Sequence, residues 1–150
     1  METNEKAIKH LNELLEKNLD AEKGYKESAE KVDHNAQLAS FMRTSATTRA
    51  QFAQELRGEI VTLGGDPTDS TSAASSLHRT WINLKDAFSG DDNEAVLKEC
   101  IRGEEAALED YDEAIKSGIL PHSSQAIVEK QRTQISEALS EVRGLKATAR

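Results

Sequence analysis

Four stretches of the chain repeat apolar positions in steps of three and four, the spacing that lines one face of an α-helix. The first runs from about Asn4 to Val32, with Ile8, Leu11, Leu15, Tyr25, Ala29 and Val32 on one side. The second spans about 36–63 and carries Leu38, Phe41, Met42, Ser45, Phe52, Leu56, Ile60 and Leu63. The third, about 93–117, carries Leu97, Ile101, Leu108, Tyr111 and Ile115; the fourth, about 124–146, carries Val128, Ile135, Ala138, Val142 and Leu145. Turn residues fall at the joints. Asp33–Asn35 is a short polar break suited to an antiparallel turn, and "GGDP" at 64–67 ends the second helix with glycine and then proline. "SGILPHSS" closes the third and leaves Ser123 or Ser124 to cap the fourth.

The link between the second and third helices is longer. It opens with the low-complexity run "TDSTSAASS" and continues with "LHRTWINLKDAF", a short amphipathic helix with Leu77, Trp81, Leu84 and Phe88 along one edge. "SGDDN" then breaks it and offers Asp91 or Asp92 as an N-cap. The long helices, roughly 22–29 residues each, would measure about 35–45 Å at about 1.5 Å per residue. One long crossover among four helices is the connectivity of ferritin-like bundles. The expected fold is therefore all-α: a ferritin-like antiparallel four-helix bundle, one domain over residues 1–150, with a long crossover between helices 2 and 3 carrying a short extra helix.

Polar residues interrupt every stripe near its midpoint. Asn18 and Glu22 lie on helix 1, Arg49 on helix 2, Glu104 on helix 3 and Gln131 on helix 4, with Gln134 bordering the same stripe. In an antiparallel bundle these positions meet at about one height. Buried polar groups need partners, and a buried carboxylate needs a cation or a proton. A guanidinium offers five donors and no acceptor, and matches carboxylates as a forked, charge-assisted partner. The expected arrangement sets Arg49 against Glu104, with Glu22 as second acceptor. Asn18, Gln131 and Gln134 would satisfy the remaining groups, and the hydroxyls of Tyr25 and Tyr111 would join them. Two other placements of Glu104 stay open: a ligand in a rearranged metal site, and a water-exposed position.

Two resemblances bear on this layer. "AIKHLNELLEKNLDAEKGY" is similar to the first helix of a bacterioferritin, and "EIVTLGGDP" ends helix 2 as in those proteins. The resemblance implies a di-iron centre whose six ligand positions fall here on Asn18, Arg49, Phe52, Glu104, Gln131 and Gln134, of which Glu104 alone keeps a ligand's chemistry. The whole chain also resembles the bacterial four-helix proteins classed as domain of unknown function 2383, through "ECIRGEEAALEDY", "HRTW" with its following "LK", and "LGGDP". That likeness implies a ferritin-like fold and brings no activity with it.

Composition narrows the function. A net charge of −8 argues against nucleic acid and anionic membrane surfaces, whose phosphates it would repel. No apolar run approaches the roughly 20 residues of a membrane span, and no signal-peptide core precedes helix 1, so a soluble cytoplasmic protein is expected. The single cysteine, Cys100, excludes an internal disulfide and reads as a small buried apolar residue. His10, His34, His78 and His122 belong to different segments, and none follows a glutamate at Glu-x-x-His spacing. Glu99, Glu105, Glu109, Asp110, Asp112 and Glu113 spread around the outer faces of helix 3. No phosphate-binding glycine loop or nucleophile elbow occurs.

Leu77, His78 and Trp81 either pin the crossover helix onto the bundle or form an edge that docks a second subunit, making a homodimer. The leading function is a non-enzymatic structural or interaction protein with no cofactor and an unidentified protein partner. The enzyme rival is a carboxylate-bridged iron or manganese protein with a shifted site at Glu22 and Glu104, with Glu59 or Glu137 added. A third reading is a small-ligand-binding bundle whose polar layer lines a cavity.

Overall fold

A computed structural model describes residues 2–32, 35–68 and 93–148. Among them the chain forms four helices and no strand: α1 (Glu2–Lys31), α2 (Ala36–Thr62), α3 (Asn93–Lys116) and α4 (His122–Thr148). The extra helix expected at 77–88, the caps Asp91 and Asp92, His34, and the interface candidates Leu77, His78 and Trp81 lie outside the described residues.

Helix boundaries follow local chemistry. The Asn35 side chain caps α2 by accepting from the backbone N–H of Leu38 at 3.1 Å. At the other end Gly64 takes φ 86°, a left-handed conformation. The N–H of Gly65 then reaches the carbonyl of Ile60 at 2.9 Å, and that of Gly64 reaches Val61 at 3.0 Å. This paired closure satisfies carbonyls that a helix end leaves open. The α4 boundary differs from expectation. The helix begins at His122, its first turn closed by Gln125 N–H on the Pro121 carbonyl at 2.8 Å. Ser123 and Ser124 therefore sit inside the first turn instead of capping it. Their hydroxyls donate to Glu59 Oε1 on α2, at 2.9 and 2.8 Å.

α1 packs most extensively on α2, and α3 on α4. Tyr25 meets Phe41 edge to face, with ring centroids 6.0 Å apart. Farther along, Asn18 meets Arg49, and Asn12 binds the Asp66 carbonyl and the Thr68 N–H. Residue numbers thus rise along α1 as they fall along its partner. α3 and α4 pair in the same sense, Glu105 with Arg143 and Asp112 with Arg132.

The core falls into two apolar halves. One contains Tyr25, Val32, Phe41, Met42, Leu97, Cys100 and Val142. The other contains Leu11, Leu15, Phe52, Leu56, Ile60, Tyr111, Val128 and Ile135. The buried face of α3 is turned from the expected one: Cys100, Gly103, Glu104, Ala107, Tyr111 and Ala114 are buried, while Ile101, Leu108 and Ile115 are only partly so. Several small residues, Cys100, Gly103, Ala107 and Ala114, thus lie on the buried face, with larger apolar ones at its flanks.

The α2 exit gives a stability test. Gly64→Ala should destabilise by about 1–2 kcal/mol, because a Cβ is disfavoured in the left-handed conformation. A Cβ on Gly65 would lie 2.7 Å from Ile8 Cγ2, so Gly65→Ala should also lower the urea midpoint. Gly58→Ala, exposed inside α2 with open space around its Cβ, should raise stability by about 0.5–1 kcal/mol.

Candidate functional site

At mid-bundle, Asn18, Arg49, Glu104 and Gln131 stand on apolar stripes of four different helices, each at a fully buried position. Burial leaves their polar atoms no access to bulk water, and they find one another. Arg49 Nη2 donates to Glu104 Oε1 at 2.6 Å, and the two side chains are 4% and 1% exposed. The Tyr25 hydroxyl donates to the same carboxylate oxygen at 3.1 Å. Arg49 Nη1 donates to Asn18 Oδ1 at 2.8 Å. Asn18 Nδ2 donates in turn to the Leu14 carbonyl at 2.8 Å and to Tyr111 Oη at 2.9 Å. The Tyr111 hydroxyl donates in turn to Gln131 Oε1 at 2.6 Å. Gln131 Nε2 ends the run on Glu55 Oε1 at 2.9 Å and the Phe52 carbonyl at 3.3 Å. The guanidinium carbon also lies 5.9 Å from the centre of the Phe52 ring, within cation–π range.

Of the eight residues expected in this layer, six form this chain. Glu22 does not join it. Its carboxylate pairs with Lys26 one turn on, at 2.8 Å, on the half-exposed side of α1. Tyr25 supplies the second contact to Glu104 in its place. Gln134 is exposed and stands at the rim of a cleft between α2 and α4. The cleft has a volume of about 170 Å³ and reaches Arg49 and Glu104. Glu137 also borders it, whereas Glu59 is engaged by the two serines of α4. Glu55 was not anticipated. It lies off the apolar stripe, and only the free amide of Gln131 across the bundle gives it a role.

Electrostatics follow from burial. Desolvation works against the charged guanidinium of Arg49, but the Glu104 carboxylate, with Tyr25 and Tyr111, outweighs it and holds the pKa above the ordinary arginine value. Burial pushes the Tyr25 hydroxyl well up, with Glu104 adding to it. Burial likewise raises Tyr111. The Cys100 thiol is pushed well up by burial, then by Glu104 and Glu99. It sits 4.0 Å from Met42 Sδ, in the apolar role expected of it.

The acidic residues of α3 are distributed around the helix. Asp110 pairs with Lys17, Asp112 with Arg132, Glu105 with Arg143 and Glu99 with Arg102. Among the described residues no group of three or more His, Cys, Asp and Glu is placed to hold a metal ion.

Two measurements test the layer. Glu104→Leu strands the Arg49 charge in the core and should cost about 3–5 kcal/mol in urea unfolding. Lys26→Leu on the exposed pair of Glu22 should change stability by less than about 0.5 kcal/mol. Alkaline pH should also unfold the protein. Tyr25, Tyr111 and Cys100 keep protons in the fold that the unfolded chain releases at about 10 for phenols and about 8.5 for the thiol. Their contribution is complete below those values and is lost as pH rises toward the higher folded-state values, at up to about 1.4 kcal/mol per pH unit for each group. The urea midpoint should fall ever more steeply above about pH 9, and less so in Tyr25→Phe.

No described helix is long and apolar enough to cross a membrane. Comparison with curated proteins gives no match. Residues 6–117, a span that holds Asn18, Arg49 and Glu104 and stops before Gln131, match the model of the family described as Domain of unknown function (DUF2383), and the chain belongs to that family.

Proposed function

We propose that this chain is a ferritin-like bundle in which a buried ion pair stands in the place of a di-iron centre, and that it serves as a non-enzymatic structural or interaction protein in the cytoplasm. The observation that carries this reading is the 2.6 Å contact of Arg49 with Glu104 inside a layer contributed by all four helices. Iron and manganese require several anionic oxygens or imidazoles. The layer instead presents two carboxamides, two phenols, a guanidinium and the Glu104 carboxylate, with the Glu55 carboxylate at its edge engaged by Gln131, a donor set that does not fit either metal. Glu22 and Glu59, offered by the rival reading, point to other partners.

The connectivity supports the ferritin-like part. Ile60, near the end of α2, belongs to one apolar half, and Val96, near the start of α3, belongs to the other. The end of α2 and the start of α3 thus fall in opposite halves of the bundle, the relation that a ferritin-like order of helices requires. Recognition of other proteins falls to the surface. The occupant is a protein partner or a second copy of this chain.

Anaerobic loading with iron(II) or manganese(II), followed by desalting, should leave only substoichiometric metal on wild type and on Glu104→Gln alike. A stoichiometric pair of metals on wild type that disappears in Glu104→Gln would overturn the ion-pair reading in favour of an oxidase-like centre.

A further inference from the structure

The polar layer is not wholly closed on itself. Glu104 is 1% exposed, yet both donors to it, Tyr25 and Arg49, use Oε1. Oε2 takes no protein donor among the described residues. Arg49 spends one N–H on Asn18 and one on Glu104. A guanidinium has five, so the rest meet no protein acceptor among the described residues. Buried polar atoms seldom lack partners, and those of charged groups least of all. Both residues border the cleft between α2 and α4.

We infer that this cleft binds a small neutral molecule with an amide-type edge, whose N–H donates to Glu104 Oε2 and whose carbonyl oxygen accepts from Arg49. Size comes first. The volume of about 170 Å³ is close to that of an engineered cavity of about 150 Å³ that takes benzene, so a single-ring molecule fits within it. Charge comes second. The floor already pairs one cation with one carboxylate, so a charged ligand would bring a charge with no counter-ion into a buried layer. Glu137 and Glu141 at the mouth repel anions, and Arg49 at the floor repels cations. A neutral edge that donates and accepts side by side meets both open groups without a charge imbalance. The walls come third. Phe52, Ile135 and Ala138 give the body of the molecule apolar surface, while the Thr48 hydroxyl adds a polar contact. This binding function is additional to the structural one proposed above, and neither depends on the other.

The test uses three isosteres on the full-length chain: benzamide, benzoate and benzamidinium. Benzamide should shift the backbone NMR signals of Thr48, Arg49, Ile135 and Ala138 saturably and raise the Tm, with both charged isosteres at least about tenfold weaker, about 1.4 kcal/mol. Ala138→Phe, which fills the cleft from α4 without touching the ion pair, should abolish the effect while circular dichroism shows the helices intact. The inference is overturned by an absence of saturable benzamide shifts up to its solubility limit, or by tighter binding of either charged isostere. Undiminished binding in Ala138→Phe would overturn it too. The wild-type comparison of the three isosteres decides the matter alone should that variant fail to fold.

Discussion

The contact between Arg49 and Glu104 governs the rest of the molecule. Moving a guanidinium and a carboxylate out of water costs several kcal/mol per ion, and their attraction offsets this only with good geometry and partners for the leftover atoms. That requirement explains why the surrounding layer has its composition. Asn18 takes a guanidinium proton on its oxygen and hands one of its own to Tyr111. The Tyr111 hydroxyl donates to Gln131, and Tyr25 approaches Glu104 from the side of α1. Each member both satisfies a neighbour and needs one. Such a layer holds only at one register, because sliding any helix by a turn would put a charge opposite leucine or phenylalanine. Specifying register is the best-attested role of buried polar groups.

The two apolar halves supply the driving force on either side of this layer, and the ends are fastened by means of their own. At one end, Asn12 holds the chain leaving α2 and Glu59 holds the first turn of α4. Gly65 lets Ile8 pack against the exit. Ion pairs on the outer faces, such as Glu105 with Arg143, are half exposed and contribute little by comparison. The α3 face adds a packing principle. Cys100, Gly103, Ala107 and Ala114 line its buried side, letting neighbouring backbones approach, while Ile101, Leu108 and Ile115 cover the flanks.

Those same residues show what can be read from sequence. The helices were legible because their three-and-four spacing is long and sustained. The pair of Arg49 with Glu104 was legible because two opposite charges on apolar stripes have few other places to go. Glu22 misled for a local reason. It lies one turn beyond Asn18 and four residues before Lys26, so an exposed partner on its own helix satisfies it without desolvation. Gln134 misled by angle: three residues past Gln131 is about 60° off the stripe at 100° per residue, enough to put it on the cleft rim. The α3 face was misplaced because a stripe drawn through the largest apolar side chains ignores small residues that close packing prefers. Glu55 left no signal, since its role depends on a glutamine seventy-six positions away.

A buried arginine changes what a helical bundle depends on. Carboxylates gathered around a metal repel one another until the ion arrives, so such a core is completed from outside. Here the compensating charge is part of the chain and, with its pKa held up by Glu104, stays in place across the physiological range. The pairing is incomplete in one respect. A metal ion can draw ligands from every direction, whereas a guanidinium is planar and its donors point along fixed lines in that plane. A planar cation set among four helices cannot meet every surrounding acceptor, and among the described residues one carboxylate oxygen is left over along with part of the fork. The unpaired atoms belong to the two residues that border the cleft between α2 and α4. The polar chemistry of the cleft is therefore the part of an arginine–glutamate pair that the four helices leave unmatched.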